Sequence, residues 1–260
     1  MVYAMTWNLK KTVLGISLVI AACSQNHDTH IDNVNAMRGG CGLEAASSEF
    51  KFNSALALCA ESGQSEAQAW LGMMYWWDST EPEQPLLTDY YPNLSTLEMQ
   101  RQGANLLKMA ANSGNVLAAN ELGLAHFEGS YGQNTDYRTA LKWLKIADQA
   151  GDEFAPQNLA IMYLRGTGVE KSKSKAIEHL ERAANRGSVI ALWTMGAWHA
   201  AHPAPGSKEK SEKYFAEAER LGGECQRPSE ICEDFLPLFE DETALIAANE
   251  YVSQASLTAC

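Results

Sequence analysis

Few side chains in this sequence are spaced for chemistry. His199 and His202 are three apart and can meet on one helix face, which Pro203 ends. Two imidazoles are half of a zinc site, and the sequence places no further ligand beside them, so no metal is expected. Glu121 and Glu128 can be paired on paper as acid and base, but a solvated helix face explains them. The sequence has no nucleophile elbow, no phosphate-binding loop and no HExxH helix. It therefore offers no catalytic residue and calls for no cofactor.

The remaining chemistry is that of cysteine. Lys10 and Lys11 precede an apolar run, Thr12 to Ala22, and then Cys23. A positive start, a short apolar core and small residues before a cut mark a secretory signal over residues 1–22. That run is too short for a spanning helix. Ile20-Ala21-Ala22-Cys23 resembles a bacterial lipobox, which implies cleavage before Cys23 and lipid on its thiol. Several acyl chains would hold the protein on a membrane. Ser24 after the cysteine points to the outer membrane, facing the periplasm. The polar residues 23–33 read as a tether. Exported cysteines are usually oxidised. Proximity favours Cys41 with Cys59 and Cys225 with Cys232, leaving Cys260 over, although five cysteines allow other pairings.

The chain has 260 residues and a net charge of −12. Loss of the two leader lysines would make it more acidic still. A nucleic-acid partner would want a basic face, so none is expected, and a basic or neutral protein suits better.

Self-similarity supplies the architecture. The motif Gly-x3-Ala-x3-Leu-Gly runs through Gly63, Ala67, Leu71 and Gly72, then through Gly114, Ala118, Leu122 and Gly123. It returns at Gly151, Ala155, Leu159 and Ala160, and at Gly187, Ala191, Met195 and Gly196. Residues four apart share a helix face, and small ones let a second helix approach closely. The leading glycines sit where a helix needs a left-handed stop. The phrases Leu159 to Val169 and Lys175 to Gly187 carry the closest likeness to Sel1-like repeats, relatives of the tetratricopeptide repeat. That resemblance covers about residues 63–222. It implies an all-α, right-handed α-solenoid of about four helical hairpins with a binding or scaffold role and no catalysis. Residues 34–62 read as an amino-terminal capping helix, with Leu43 to Cys59 as half a repeat. Residues 223–260 read as a carboxy-terminal cap with closing helices from Asp234.

The first unit is about 15 residues longer than the others, and the excess falls within Trp77 to Leu97. Three prolines and four acidic residues there argue for a loop. Trp76, Trp77, Tyr90 and Tyr91 could anchor a partner or fold back as packing. Tetratricopeptide-like geometry would turn Met73, Asn120, Leu124, Gln157, Ile161 and Trp193 toward an inner groove, with Trp76, Phe127 and Leu164 one turn on and Trp77, Glu128 and Arg165 beside them. Such a groove suits a peptide or a protein loop. In a tight superhelix neighbouring helices would bury the same residues instead.

These expectations describe a lipid-anchored, periplasm-facing protein whose solenoid binds another protein. Sel1-like lipoproteins occur as immunity partners of phospholipase effectors delivered by type VI secretion, which gives one sharper form of that reading. An envelope assembly scaffold is the alternative, and a cell-wall peptide hydrolase is a more distant one.

Overall fold

A computed structural model describes residues 56–80, 94–222 and 233–239. The described residues are helical, with no strand among them. After a helical segment at 56–61 come α1 (Ser65–Thr80), α2 (Thr96–Asn112), α3 (Val116–Glu128) and α4 (Tyr137–Gln149). They are followed by α5 (Ala155–Arg165), α6 (Lys173–Asn185), α7 (Val189–Ala201) and α8 (Ser207–Gly222), then a 3-10 turn at Glu233–Leu238. The fold class is the α-solenoid. Helices α1 to α6 belong to one compact unit and α7, α8 and the 3-10 turn to another. None of the described helices is long and apolar enough to cross a membrane.

The glycine spacing is a spacing of helix stops. Gly63, Gly114, Gly151 and Gly187 have φ of +92°, +89°, +97° and +94°. At each, the glycine N–H and the next N–H turn back onto the helix just ended. Gly114 donates to the Ala111 carbonyl and Asn115 to that of Ala110, and Gly187 and Ser188 repeat this on Ala184 and Ala183. This paired motif satisfies carbonyls that a helix end leaves open. The residue after the glycine then bonds the first turn of the next helix at Asn115 and Asp152. Asn115 Oδ1 accepts from Ala118 N–H at 2.9 Å, and Asp152 Oδ1 accepts from Ala155 N–H at 2.6 Å. One turn therefore ends one helix and caps another within three residues.

Each hairpin closes on a small residue. A Cβ placed on Gly123 would lie 2.6 Å from Leu144 Cγ, and one on Gly196 2.7 Å from Phe215 Cε1. Gly72 faces Gly103 and Leu107 in the same way. The third hairpin has Ala160, wholly buried, with Leu180 in the matching place. Leu107, Leu144 and Leu180 are fully buried. Each stabilises the fold by roughly 1.5–3 kcal/mol. A polar seam joins the second and third hairpins, where Asn158 Nδ2 donates to Asn120 Oδ1 at 3.0 Å, and within the same unit Ser188 Oγ donates to Gln157 Oε1 at 2.7 Å. Asp148 at the end of α4 is buried and pairs with Arg182 (2.5 Å) and Arg186 (2.8 Å) of α6. Arg186 also donates to the backbone carbonyl of Asp152 at 2.7 Å.

Two boundaries differ from the sequence reading. Helix α1 runs through Trp77 to Thr80, because the first proline is Pro82. Helix α2 begins at Thr96 on a capping box, in which Ser95 and Glu98 each bond the other's backbone N–H. Of the expected loop, residues 94 and 95 are non-helical, and residues 81–93 lie outside the described residues. At the carboxy end, the chain at Asp234 enters a 3-10 turn rather than an α-helix, since Pro237 has no N–H to donate. The other expected cap residues also lie outside the described residues.

Candidate protein-binding surface

The expected inner groove divides into buried and accessible residues. Met73, Asn120, Gln157, Ile161, Leu164 and Trp193 are buried. They cannot meet a partner in this conformation. For Asn120 and Gln157 the reason is visible, because their amide oxygens accept from Asn158 and Ser188. Trp193 packs on Phe215 with ring centroids 5.2 Å apart. Trp76, Leu124 and Phe127 are half-buried and Arg165 is exposed. Tyr90, Tyr91 and the Trp77 side chain lie outside the described residues, as do Cys23, Cys41, Cys225 and Cys232. Cys59 is buried and disulfide-bonded, and its pairing is not among the described residues.

On α3 the surface that reaches solvent keeps Leu124 and Glu128 of the expected groove and adds Leu117 and Glu121 in place of Asn120. Leu117, Glu121, Leu124 and Glu128 stand at i, i+4, i+7 and i+11 on α3 and form one stripe. The first three are half-buried and Glu128 is exposed. Phe127 borders it, with Arg165 over its ring at 5.6 Å and Tyr137 tilted against it at 5.6 Å. Trp70, Trp76 and Leu117 pack on the core cluster below. Trp76 stacks on Tyr131 at 5.1 Å. Tyr131 has φ of +55°, the one non-glycine in the left-handed region among the described residues. Holding it there costs about 1 kcal/mol or more. Its hydroxyl is buried with no hydrogen-bond partner.

Charge on this surface is uncomfortable. Burial, then the charges of Asp152 and Glu128, push the Glu121 carboxyl up to about 7. Burial lifts Asp152 to about 6, although the N–H groups of Ala155 and Phe154 pull it down. Burial also raises Glu153. The Tyr131 hydroxyl is driven well up by burial and then by Glu121 and Glu128. The solvated-face reading of Glu121 is thus corrected, while Glu128 fits it. A half-buried carboxylate among leucines and aromatics gains most when a cation arrives. The stripe is suited to a Lys or Arg side chain, whose stem covers the apolar rim.

The histidine pair resolves differently. His202 Nδ1 lies 2.8 Å from the Trp198 carbonyl, and the His199 ring lies between Trp198 and Tyr214, at 4.9 and 5.7 Å. Burial first, then Lys210 and His202, lower the His199 pKa. No three metal-ligating side chains come together among the described residues.

A family profile described as the Sel1 repeat matches residues 65–82, 116–152 and 157–188. Those three stretches are similar to the Sel1 repeat. The matches fall on α1, on the α3–α4 hairpin and on α5–α6. A solved structure titled as c5321, a protective antigen of uropathogenic Escherichia coli with an SLR fold, is 27% identical with a TM-score of 0.51. The likeness covers 65% of this chain and 33% of that one. A Sel1 repeat protein from Oxalobacter formigenes is 27% identical over 45% of this chain and 90% of its own, with a TM-score of 0.40. The ERAD-associated E3 ubiquitin-protein ligase component HRD3B of Arabidopsis thaliana is 32% identical over 92 residues. That is 35% of this chain but only 14% of the plant protein's length. Sel1 repeats mediate protein–protein interaction and are generally non-catalytic scaffolds.

Proposed function

We propose that this chain is a periplasm-facing lipoprotein, anchored through Cys23, whose repeats bind a basic protein at the α3 stripe. The observation that carries the reading is Glu121, a carboxylate pushed up to about 7 between Leu117 and Leu124. Hosting it unpaired costs stability, and a partner's cation would return that cost as binding energy. In its sharper form the partner is a phospholipase effector delivered by type VI secretion, and this chain is the immunity protein. The signal-like start, the acidic body and the repeats support that form.

The test is co-expression with the product of a neighbouring effector gene. The wild-type chain should relieve toxicity and co-purify with the effector. Glu121→Lys should do neither, with its helical circular dichroism unchanged. Full protection by Glu121→Lys would remove the stripe from the account. The absence of any effector gene nearby would sink the immunity form alone. A Cys23→Ser chain that stays on the membrane would refute the anchor.

A further inference from the structure

The outer layer of the array carries a second surface, opposite in character to the α3 stripe. On α2, Leu97, Arg101, Lys108 and Met109 stand at i, i+4, i+11 and i+12, and all are exposed. Helix α4 repeats the row 37 residues later with Arg138, Lys145 and Ile146, and adds Lys142 where α2 has Asn105. Both helices send buried residues into one core cluster, Leu107 and Ala110 from α2 and Ala147 from α4. The two rows together carry five exposed cations, Arg101, Lys108, Arg138, Lys142 and Lys145. The row contains no carboxylate: Glu98 and Asp136, at the helix starts, are taken up by capping. Among the described residues, none of the five cations forms a salt bridge. The large apolar side chains between them stand well out of the protein. Leu97 is 50% exposed, Met109 52% and Ile146 38%, and Leu58 occupies the Met109 position one repeat earlier at 63%. The matching places on α6 are Glu178, Glu181 and Arg182, so the pattern stops there.

We infer that the α2–α4 face docks on an anionic phospholipid surface. In a chain of net charge −12, five cations gathered on two helices are a local device and not a general property. Apolar side chains set among Lys and Arg are what an interfacial surface needs: the first enter the headgroup boundary and the second meet the phosphates. Three of the five cations are lysines, which protein–protein interfaces disfavour, so a headgroup layer fits better than an acidic protein. The inference stands whether or not Cys23 carries lipid.

The experiment is co-sedimentation of the full chain with phosphatidylglycerol–phosphatidylethanolamine vesicles and with phosphatidylcholine vesicles. Variants sharing the same amino terminus are compared, so that Lys10, Lys11 and the apolar leader contribute equally. Wild type should prefer the anionic vesicles, and salt should weaken that preference. Lys108→Gln with Lys145→Gln should weaken partition ~30-fold, the conversion of about 1 kcal/mol per cation removed. Met109→Ser with Ile146→Ser should weaken binding and leave its salt dependence unchanged. Amide exchange should slow on α2 and α4 when vesicles are present. Equal binding to both lipids, or binding that neither pair of substitutions moves, overturns the inference. So does capture by soluble polyglutamate as strong as by the vesicles and insensitive to Met109→Ser with Ile146→Ser, which would assign the face to an acidic protein.

Discussion

Gly123→Ala is the sharpest test of how the hairpins close. Glycine in a helix interior costs about 1 kcal/mol relative to alanine, so propensity alone predicts that the substitution stabilises α3. The structure predicts the reverse. The added Cβ would sit 2.6 Å from both Leu144 Cγ and Cδ2 and 3.2 Å from the Leu144 backbone nitrogen. The side chain could turn aside, but the nitrogen moves only with α4. Overpacking of this kind costs about 1–3 kcal/mol, more at such short contacts. The net expectation is a loss of ~1–2 kcal/mol. The assay is urea unfolding followed by helical circular dichroism, comparing midpoints. Leu144→Ala alone should cost about 2–5 kcal/mol as a cavity. In the double variant the new methyl group partly fills that cavity, so its cost should fall at least ~1 kcal/mol short of the sum of the singles. A raised midpoint for Gly123→Ala, or strict additivity with Leu144→Ala, would refute the close approach of α3 and α4.

Three further outcomes follow from the same geometry. Asp148→Ala should cost roughly 2–4 kcal/mol in urea unfolding, because it leaves Arg182 and Arg186 without their buried anion; a change under about 0.5 kcal/mol would make the α4–α6 staple decorative. Gly187→Ala should lower the melting temperature, at a cost of about 1 kcal/mol for a left-handed φ of +94°, and an unchanged melting point would contradict that turn. Glu121→Gln bears on pH. A carboxyl raised in the folded state binds its proton more tightly there than in the unfolded chain, so stability falls as pH rises from the ordinary value of 4.5 through about 7. The penalty above that window is on the order of 3 kcal/mol. Glu121→Gln should flatten the thermal stability profile between pH 5 and pH 7.5, and an unaltered slope would show that Glu121 is solvated after all.

Much of the fold was legible because its turns depend on glycine. A left-handed helix stop has few substitutes for that residue, so Gly63, Gly114, Gly151 and Gly187 print the repeat directly into the sequence. Small residues at Gly72, Gly123, Ala160 and Gly196 print the hairpin contact in the same way. The accessible face was not legible to the same degree. Neighbours on a helix differ by about 100° in direction, so Asn120 and Glu121 differ by one place in sequence and by a seam and a surface in space. Which of them is covered depends on how the next hairpin leans, a property of two repeats together. The outer cations escaped notice because Arg101 and Arg138, or Lys108 and Lys145, look like ordinary solvated residues until the repeat register aligns them.

The central claim is that a basic protein binds at the α3 stripe. The measurement that tests it most directly is calorimetric titration of the full chain with the purified partner from the neighbouring gene, at pH 6 and pH 8. Ionised Glu121 is the binding form, so affinity should rise with pH across about 7, with proton release on binding at the lower pH. Glu121→Gln should weaken binding at pH 8 and remove the pH dependence. Binding of equal strength at both pH values, unchanged by Glu121→Gln, would contradict the claim.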